Sequence, residues 1–304
     1  MKNILDITKE LNFSKSIILP VSKKEVTFRP LTVKDGQGLG VNGIETLQKC
    51  KFKSKNEFNK LYGEFKVILD NTIVSASDLN QSEVEELCFL DYVILFYEIR
   101  SKSEGEDDII VGTKCKHKFE TEDEKEEKCC NEEVKIVVNY EEDLNVRNLD
   151  FNNKYKVTLR NKDKQNVDYI FDINLVDFHS YMQLIFLTAA AASTKNSKIS
   201  EQEVLDLLIN ILFKISKTVT VEMNTGTFNF DIMKELKKEK KDTDIDLESF
   251  NVLLSERLPR YVVKNLFTSI IEKQPAIEGE IEFECSHKHK DSLEVTTFDF
   301  FTLI

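Results

Sequence analysis

Residues 90–139, LDYVILFYEIRSKSEGEDDIIVGTKCKHKFETEDEKEEKCCNEEVKIVVN, carry three local signals in one run. From Leu87 to Ile99 the apolar positions fall almost all round a helical wheel, which predicts a buried helix rather than one with a wet face. The runs 109–113 and 134–140 are rich in β-branched residues and predict a strand leaving and a strand returning. Between them stand Cys115, His117, Cys129 and Cys130, separated by the charge run 119–128, which is expected to be an exposed loop tip. A buried helix running into a hairpin that bears metal-type donors points to an α+β chain.

The donor types matter because structural zinc takes four nitrogen or sulfur ligands, commonly from two short turns. Cys115-Lys-His117 and the adjacent pair Cys129-Cys130 are tighter than the usual two-to-four-residue spacing, and one of the two adjacent cysteines need not ligate. The plain alternative is a hairpin with partly buried thiols and an exposed histidine. A second group, Cys285-Ser-His287-Lys-His289, puts three donors on one side of an extended chain. Either another residue completes this group, or Cys285 and His287 join the first turn, or the group is a relic. Three donors and a bound water would be a catalytic zinc arrangement. No general base accompanies them at a recognisable spacing, so a structural zinc is expected and no catalytic residue is assigned.

Composition narrows the classes. The 304 residues are 41% hydrophobic with 21 Phe, enough for a core, and carry a net charge of -12. That acidity argues against a nucleic-acid footprint and against anionic membrane surfaces. No apolar run reaches the roughly 18 residues of a membrane span. The N-terminus lacks the apolar stretch and small-residue cleavage site of a secretory signal, so the six cysteines are expected to be reduced, which favours metal over disulfides.

Along the chain, 24–29 alternates and reads as a strand, followed by a glycine-bearing loop. A capping box at Ser54 and Glu57 opens a helix with Phe58, Leu61, Phe65, Ile68 and Leu69 on one face. The next helix starts at Ser77–Asp78 or Ser82 and runs to Arg100. In the second half, 155–161 and 168–175 are expected strands and 177–193 a helix. A second capping box at Ser200 and Glu203 opens another helix. Strands follow on either side of Asn224-Thr225-Gly226. The run 234–241 is a solvated basic stretch. Helices at 247–258 and 261–273 are divided by Pro259, and two last strands flank the second donor group. The expected organisation is helix-rich α+β with several β-hairpins and a zinc-ribbon-like knuckle. It divides into an N-terminal region, 1–150, ending in the Cys/His hairpin, and a C-terminal region, 151–304, ending in the C-x-H-x-H turn.

Other motifs carry less. Gly38, Gly40 and Gly43 match G-x-G-x-x-G, but the preceding strand is charged and broken by Pro30, so no dinucleotide site is assigned. His179 opens a helix with no nucleophile tied to it and is read as buried or capping. Cys88 lies on the buried helix and Cys50 stands alone. Residues 189–192 are a helix interior.

Four stretches together resemble the baseplate hub (assembly) protein family of T4-like contractile-tailed phages: VTFRPLTVKD (26–35), CFLDYVILFYEIRSKSEG (88–105), VEMNTGTFNFDI (221–232) and IEFECSHKHKDSLEVTTFDFF (281–301). The resemblance spans most of the chain in order, although this chain has C-x-H and C-C where the family has C-x-x-C turns. It implies a structural or assembly component of the tail baseplate. Such a component works through contacts with other tail and baseplate proteins, with no enzymatic activity and no small-molecule, nucleic-acid or membrane partner. The implied location is the virion tail or the host cytoplasm during assembly. Alternatives are a tail assembly chaperone absent from the particle and a zinc-dependent hydrolase built on Cys285, His287 and His289.

Overall fold

The computed structural model of the chain describes residues 14–32, 55–104, 109–121, 124–138, 145–149, 153–160, 163–184, 200–231 and 252–296. In chain order its elements are β1 (Lys15–Ile18), β2 (Glu25–Phe28), α1 (Lys55–Ala76), α2 (Gln81–Glu86), α3 (Phe89–Glu104), β3 (Ile109–Lys114), β4 (Lys118–Thr121), β5 (Glu124–Cys129), β6 (Glu133–Val138) and β7 (Asn145–Arg147). They continue with β8 (Lys154–Arg160), β9 (Asn166–Ile173), α4 (Glu201–Ile215), β10 (Ser216–Met223), β11 (Gly226–Asp231), α5 (Arg260–Glu272), β12 (Ala276–Glu284) and β13 (Lys290–Thr296). The fold is α+β, with helices beside small antiparallel sheets.

The chain forms two compact units. The first comprises residues 1–48, 65–149 and 275–304, and the second comprises 49–64 and 150–274. One seam falls between residues 149 and 150. The last thirty or so residues, however, belong to the first unit rather than to the region they follow in sequence. That return brings the two donor groups into one unit.

In the first unit the expected buried helix is α3, with Leu90, Val93, Ile94, Leu95, Phe96 and Ile99 all at most 2% exposed. Burying each such side chain contributes roughly 1.5–3 kcal/mol. The helix differs from expectation at its start. The single helix expected from 77 or 82 is two: α2 begins with a capping box formed by Asn80 and Glu83 and stops at Leu87, whose backbone is extended. Helix α3 then runs through Glu104, within the run 101–108 expected to end it. Two buried carboxylates tie the elements together. Asp91, 1% exposed, accepts the amides of Val21 and Ser22 at 2.9 and 2.8 Å and so holds the β1–β2 turn. Asp70 accepts from the Tyr92 hydroxyl at 2.9 Å and the Lys66 ammonium at 2.9 Å.

The charge run 119–128 is also corrected. It is not a loose tip but the hairpin β4–β5, with Lys118 opposite Cys129. Its two chain ends are already held side by side, since the Cys130 amide donates to the His117 carbonyl at 2.8 Å, and strand pairing propagates outward from there.

The second unit is a four-stranded antiparallel sheet in the order β11-β10-β9-β8, with α4 and α5 sharing its core. Phe171, Ile173, Leu212, Val219 and Ile270 are fully buried in that core. The capping box expected at Ser200 and Glu203 is present in both directions, at 3.2 and 2.8 Å. The two-residue turn at Asn224–Thr225 joins β10 to β11, and Gly226 closes it at φ 149°, a conformation that side-chain-bearing residues rarely adopt. The expected helix from 247 is described only from 252, where it makes a π-helical turn (Leu253–Arg257), and α5 follows Pro259 as expected. The helix expected over 177–193 is described as helical over 178–184. Ser54, Cys50, the Gly38–Gly43 motif, the basic run 234–241 and the run 189–192 lie outside the described residues.

Candidate metal centre

The first donor turn interrupts what would otherwise be one long hairpin. Strands β3 and β6 pair up to Lys114 opposite Glu133, and β4 and β5 resume at Lys118 opposite Cys129. At the break the Cys115 amide donates to the Glu132 carbonyl at 2.9 Å, and the Asn131 amide donates to the Cys115 carbonyl at 3.0 Å. Asn131 takes a left-handed backbone at φ 51°, which Asn tolerates better than most residues. The second donor group is the turn between β12 and β13, which pair from Glu278–Thr296 to Glu284–Lys290. Its closure is set by the Lys288 amide donating to the Cys285 carbonyl at 2.8 Å and the Cys285 amide to the His289 carbonyl at 3.0 Å. Lys288 is left-handed at φ 62°.

These two turns meet. The ligand atoms of Cys115, Cys130, Cys285 and His289 all lie within 4.8 Å of one another and could hold a metal ion. A second grouping, Cys130, Glu132, Cys285 and His287, shares two of those thiols. The 3.5 Å from Cys285 Sγ to His289 Nδ1 is repeated between Cys130 Sγ and His287 Nδ1. Cys115 and Cys285 are buried, at 0% and 4% exposure, whereas the His287 side chain is 65% exposed. Burial favours the first grouping as the inner set, because thiolates shielded from water gain most from a cation.

Each turn also caps the other. Glu132 accepts the Ser286 amide at 3.0 Å and lies 3.2 Å from His287 Nδ1, while Asp291 accepts the Lys116 amide at 3.0 Å. The Ser286 hydrogen bonds hold the Glu132 carboxyl below its ordinary range, and the Lys116 and Ser292 amides do the same for Asp291. A backbone hydrogen bond from His117 favours the Cys115 thiolate, yet burial and the sulfurs of Cys285 and Cys130 outweigh it and push the thiol up to about 11. Burial, then the neighbouring His117 and His287, holds the His289 imidazole below its ordinary value and so neutral, the form that ligates. Three crowded thiols cannot all ionise together without a cation among them.

Of the seven expected donors, the structure therefore gathers Cys115, Cys130, Cys285 and His289, with His287 beside them in the second grouping. His117 stacks on the His289 ring with centroids 3.9 Å apart and belongs to neither grouping. Cys129 ends β5, and its side chain lies outside the described residues. The sequence reading did not include Glu132 or Asp291. Their signal was faint: carboxylates placed two residues beyond a donor, where orphan amides need acceptors.

His179 and Cys88 have packing roles. His179 is buried and bonded to the Tyr62 hydroxyl at 3.0 Å. The Cys88 thiol is pushed up to about 12 by burial and Asp91, and stays an inert core group. Among the described residues no helix is long and apolar enough to cross a membrane. No protein-family model, curated protein or solved structure matches the chain.

Proposed function

We propose that the chain is a structural or assembly component of a contractile phage tail baseplate, acting through protein–protein contacts, with a structural zinc fastening its first unit. The observation that carries the reading is the convergence of Cys115 and Cys130 with Cys285 and His289 from a distant part of the chain. Zinc–sulfur and zinc–nitrogen bonds of about 2.3 and 2.0–2.1 Å at tetrahedral angles place sulfur and nitrogen roughly 3.5–3.6 Å apart. The observed 3.5 Å between Cys285 Sγ and His289 Nδ1 fits that requirement. An all-protein set of four donors is the structural type of zinc site, where the ion supplies folding energy and no coordination position is left for a substrate. The hydrolase alternative is disfavoured on that ground, because it needs Cys285 and His289 in an open site. The baseplate assignment itself is supported by the four resembling stretches, two of which hold the helix entering the first donor turn and the strands around the second.

Mass spectrometry of purified virions tests the assignment. The chain is expected in the tail fraction. Its absence from particles that nevertheless require its gene would favour the assembly-chaperone reading. Normal infectious particles formed without the gene would reject both.

A further inference from the structure

The two groupings at the metal centre have Cys130 and Cys285 in common. To that pair the first adds Cys115 and His289, and the second adds Glu132 and His287. A tetrahedral ion takes four donors, so the inner set is complete without Glu132 and His287. Those two nevertheless converge on the shared sulfurs. Glu132 Oε2 lies 3.2 Å from His287 Nδ1, and Cys130 Sγ lies 3.5 Å from the same nitrogen. The Ser286 hydroxyl stands 3.5 Å from it as well. A single imidazole proton can point at only one of these partners, whereas a cation serves all its donors at once.

The spacings suit a second zinc. Zinc–nitrogen and zinc–oxygen bonds of about 2.0–2.2 Å at tetrahedral angles set nitrogen and oxygen roughly 3.3–3.5 Å apart, and a zinc–sulfur bond of about 2.3 Å sets sulfur and nitrogen roughly 3.5–3.6 Å apart. The observed 3.2 and 3.5 Å lie close to both. Each turn supplies a shared sulfur and an outer donor two residues on, as Cys130-Asn131-Glu132 and Cys285-Ser286-His287. Two tetrahedra with the Cys130 and Cys285 sulfurs as a common edge would use all six donors. Charge points the same way. A coordinating thiol is deprotonated, so three thiolates and the Glu132 carboxylate present four negative charges, which two divalent ions balance and one does not.

We propose that Glu132 and His287, with the Cys130 and Cys285 thiolates as bridges, hold a second zinc ion, more weakly than the first and open to exchange. The inference rests on the structural zinc proposed above, which supplies the bridging sulfurs as thiolates. The weaker hold follows from exposure. The His287 side chain is 65% exposed and that of Glu132 28%, so water screens and competes for an ion at this rim. A chain purified without added zinc therefore carries only the first ion. The rival account is a metal-free pair of Glu132 with His287 that simply caps the Ser286 amide.

The full chain, reduced and loaded with one equivalent of zinc, is titrated with further zinc and read by native mass spectrometry. A saturable second equivalent is expected, with no comparable third. Loading with NMR-active cadmium should give two cadmium resonances that are scalar-coupled, because bridging sulfurs join the two ions through bonds. His287→Ala and Glu132→Gln should each keep the first equivalent and weaken the second by more than about 100-fold, beyond the range of groups that only orient a ligand. Glutamine leaves an oxygen for the Ser286 amide, so loss of that cap is not what the variant reports. Failure of the structural zinc shows as a chain that binds no first equivalent, and the proposal falls with it. The second site alone is overturned, with the structural zinc intact, by absence of a saturable second equivalent, by uncoupled cadmium resonances, or by a second equivalent that either variant keeps. The titration and the cadmium spectra use the parent chain, so a misfolded variant does not shelter the proposal.

Discussion

Cys115 Sγ and Cys285 Sγ lie within 4.8 Å of each other, one in the break of the first long hairpin and the other in the last turn of the chain. A single ion between them would join segments that share no strand ladder. Cys115→Ser and Cys285→Ser should each lose the same zinc, measured by elemental analysis of the purified chain at about one ion per molecule in the parent. Loss of half the metal by each variant would instead mean two separate sites. Chelation should lower the melting temperature, because the binding energy of a structural ion is folding energy.

The two histidines that approach the thiols should differ in effect. His289→Ala removes an inner ligand and should abolish tetrahedral cobalt absorption at stoichiometric metal. His287→Ala removes a group held by Glu132 at the exposed rim and should weaken affinity by roughly 10–100-fold while keeping the tetrahedral spectrum. Reversed behaviour would move His287 into the inner set.

Asp91 carries the β1–β2 turn through two partly buried hydrogen bonds to backbone amides. Asp91→Ala removes the acceptor of both amides and should cost about 1.5–3 kcal/mol in urea unfolding. A loss under about 0.5 kcal/mol would show that water replaces the carboxylate without penalty.

Tyr155→Phe should stabilise the isolated chain by about 1 kcal/mol, since it deletes a buried hydroxyl that has no partner among the described residues. A destabilised variant would mean that the hydroxyl is already satisfied.

Acid sensitivity should involve Asp177 of the second unit. Burial by itself would raise its carboxyl, but the Lys214 ammonium at 2.8 Å and the Ser180 hydroxyl at 2.6 Å outweigh it and hold the carboxyl below its usual value. A carboxylate depressed in the folded state contributes stability that is present above its unfolded value, about 3.9, and is lost as the pH falls through the folded value. Asp177→Asn should therefore cost on the order of 1 kcal/mol at pH 7, discounted because Lys214 is largely exposed, and progressively less as the pH drops below 4. A cost that is the same at pH 7 and pH 3 would rule out the charge as its source.

How far the sequence could be read depends on the range of each signal. The capping box at Ser200 and Glu203, the turn at Asn224–Thr225 and the helix stop at Pro259 are fixed by residues a few positions apart. Pattern alone located them. The break at Leu87 and Cys88 was hidden because the apolar run continues through it, and helical and extended turns of a buried segment are equally greasy. The hairpin β4–β5 was hidden because its residues are charged and poor in β-branched types, and its pairing follows from the tethered ends at His117 and Cys130.

The sequence by itself determined the kinds of donor, their arrangement in two turns, and the buried helix that leads into the first. Periodicity and local chemistry are enough for that. Only the tertiary structure decided that residues 275–304 return to the first unit and that Cys130 and His289 stand with Cys115 and Cys285. It also placed Glu132 and Asp291 across the junction as acceptors. Those choices depend on which distant hairpins pack together, and no local propensity encodes the closing of so long a loop; burial and strand pairing across the whole unit settle it.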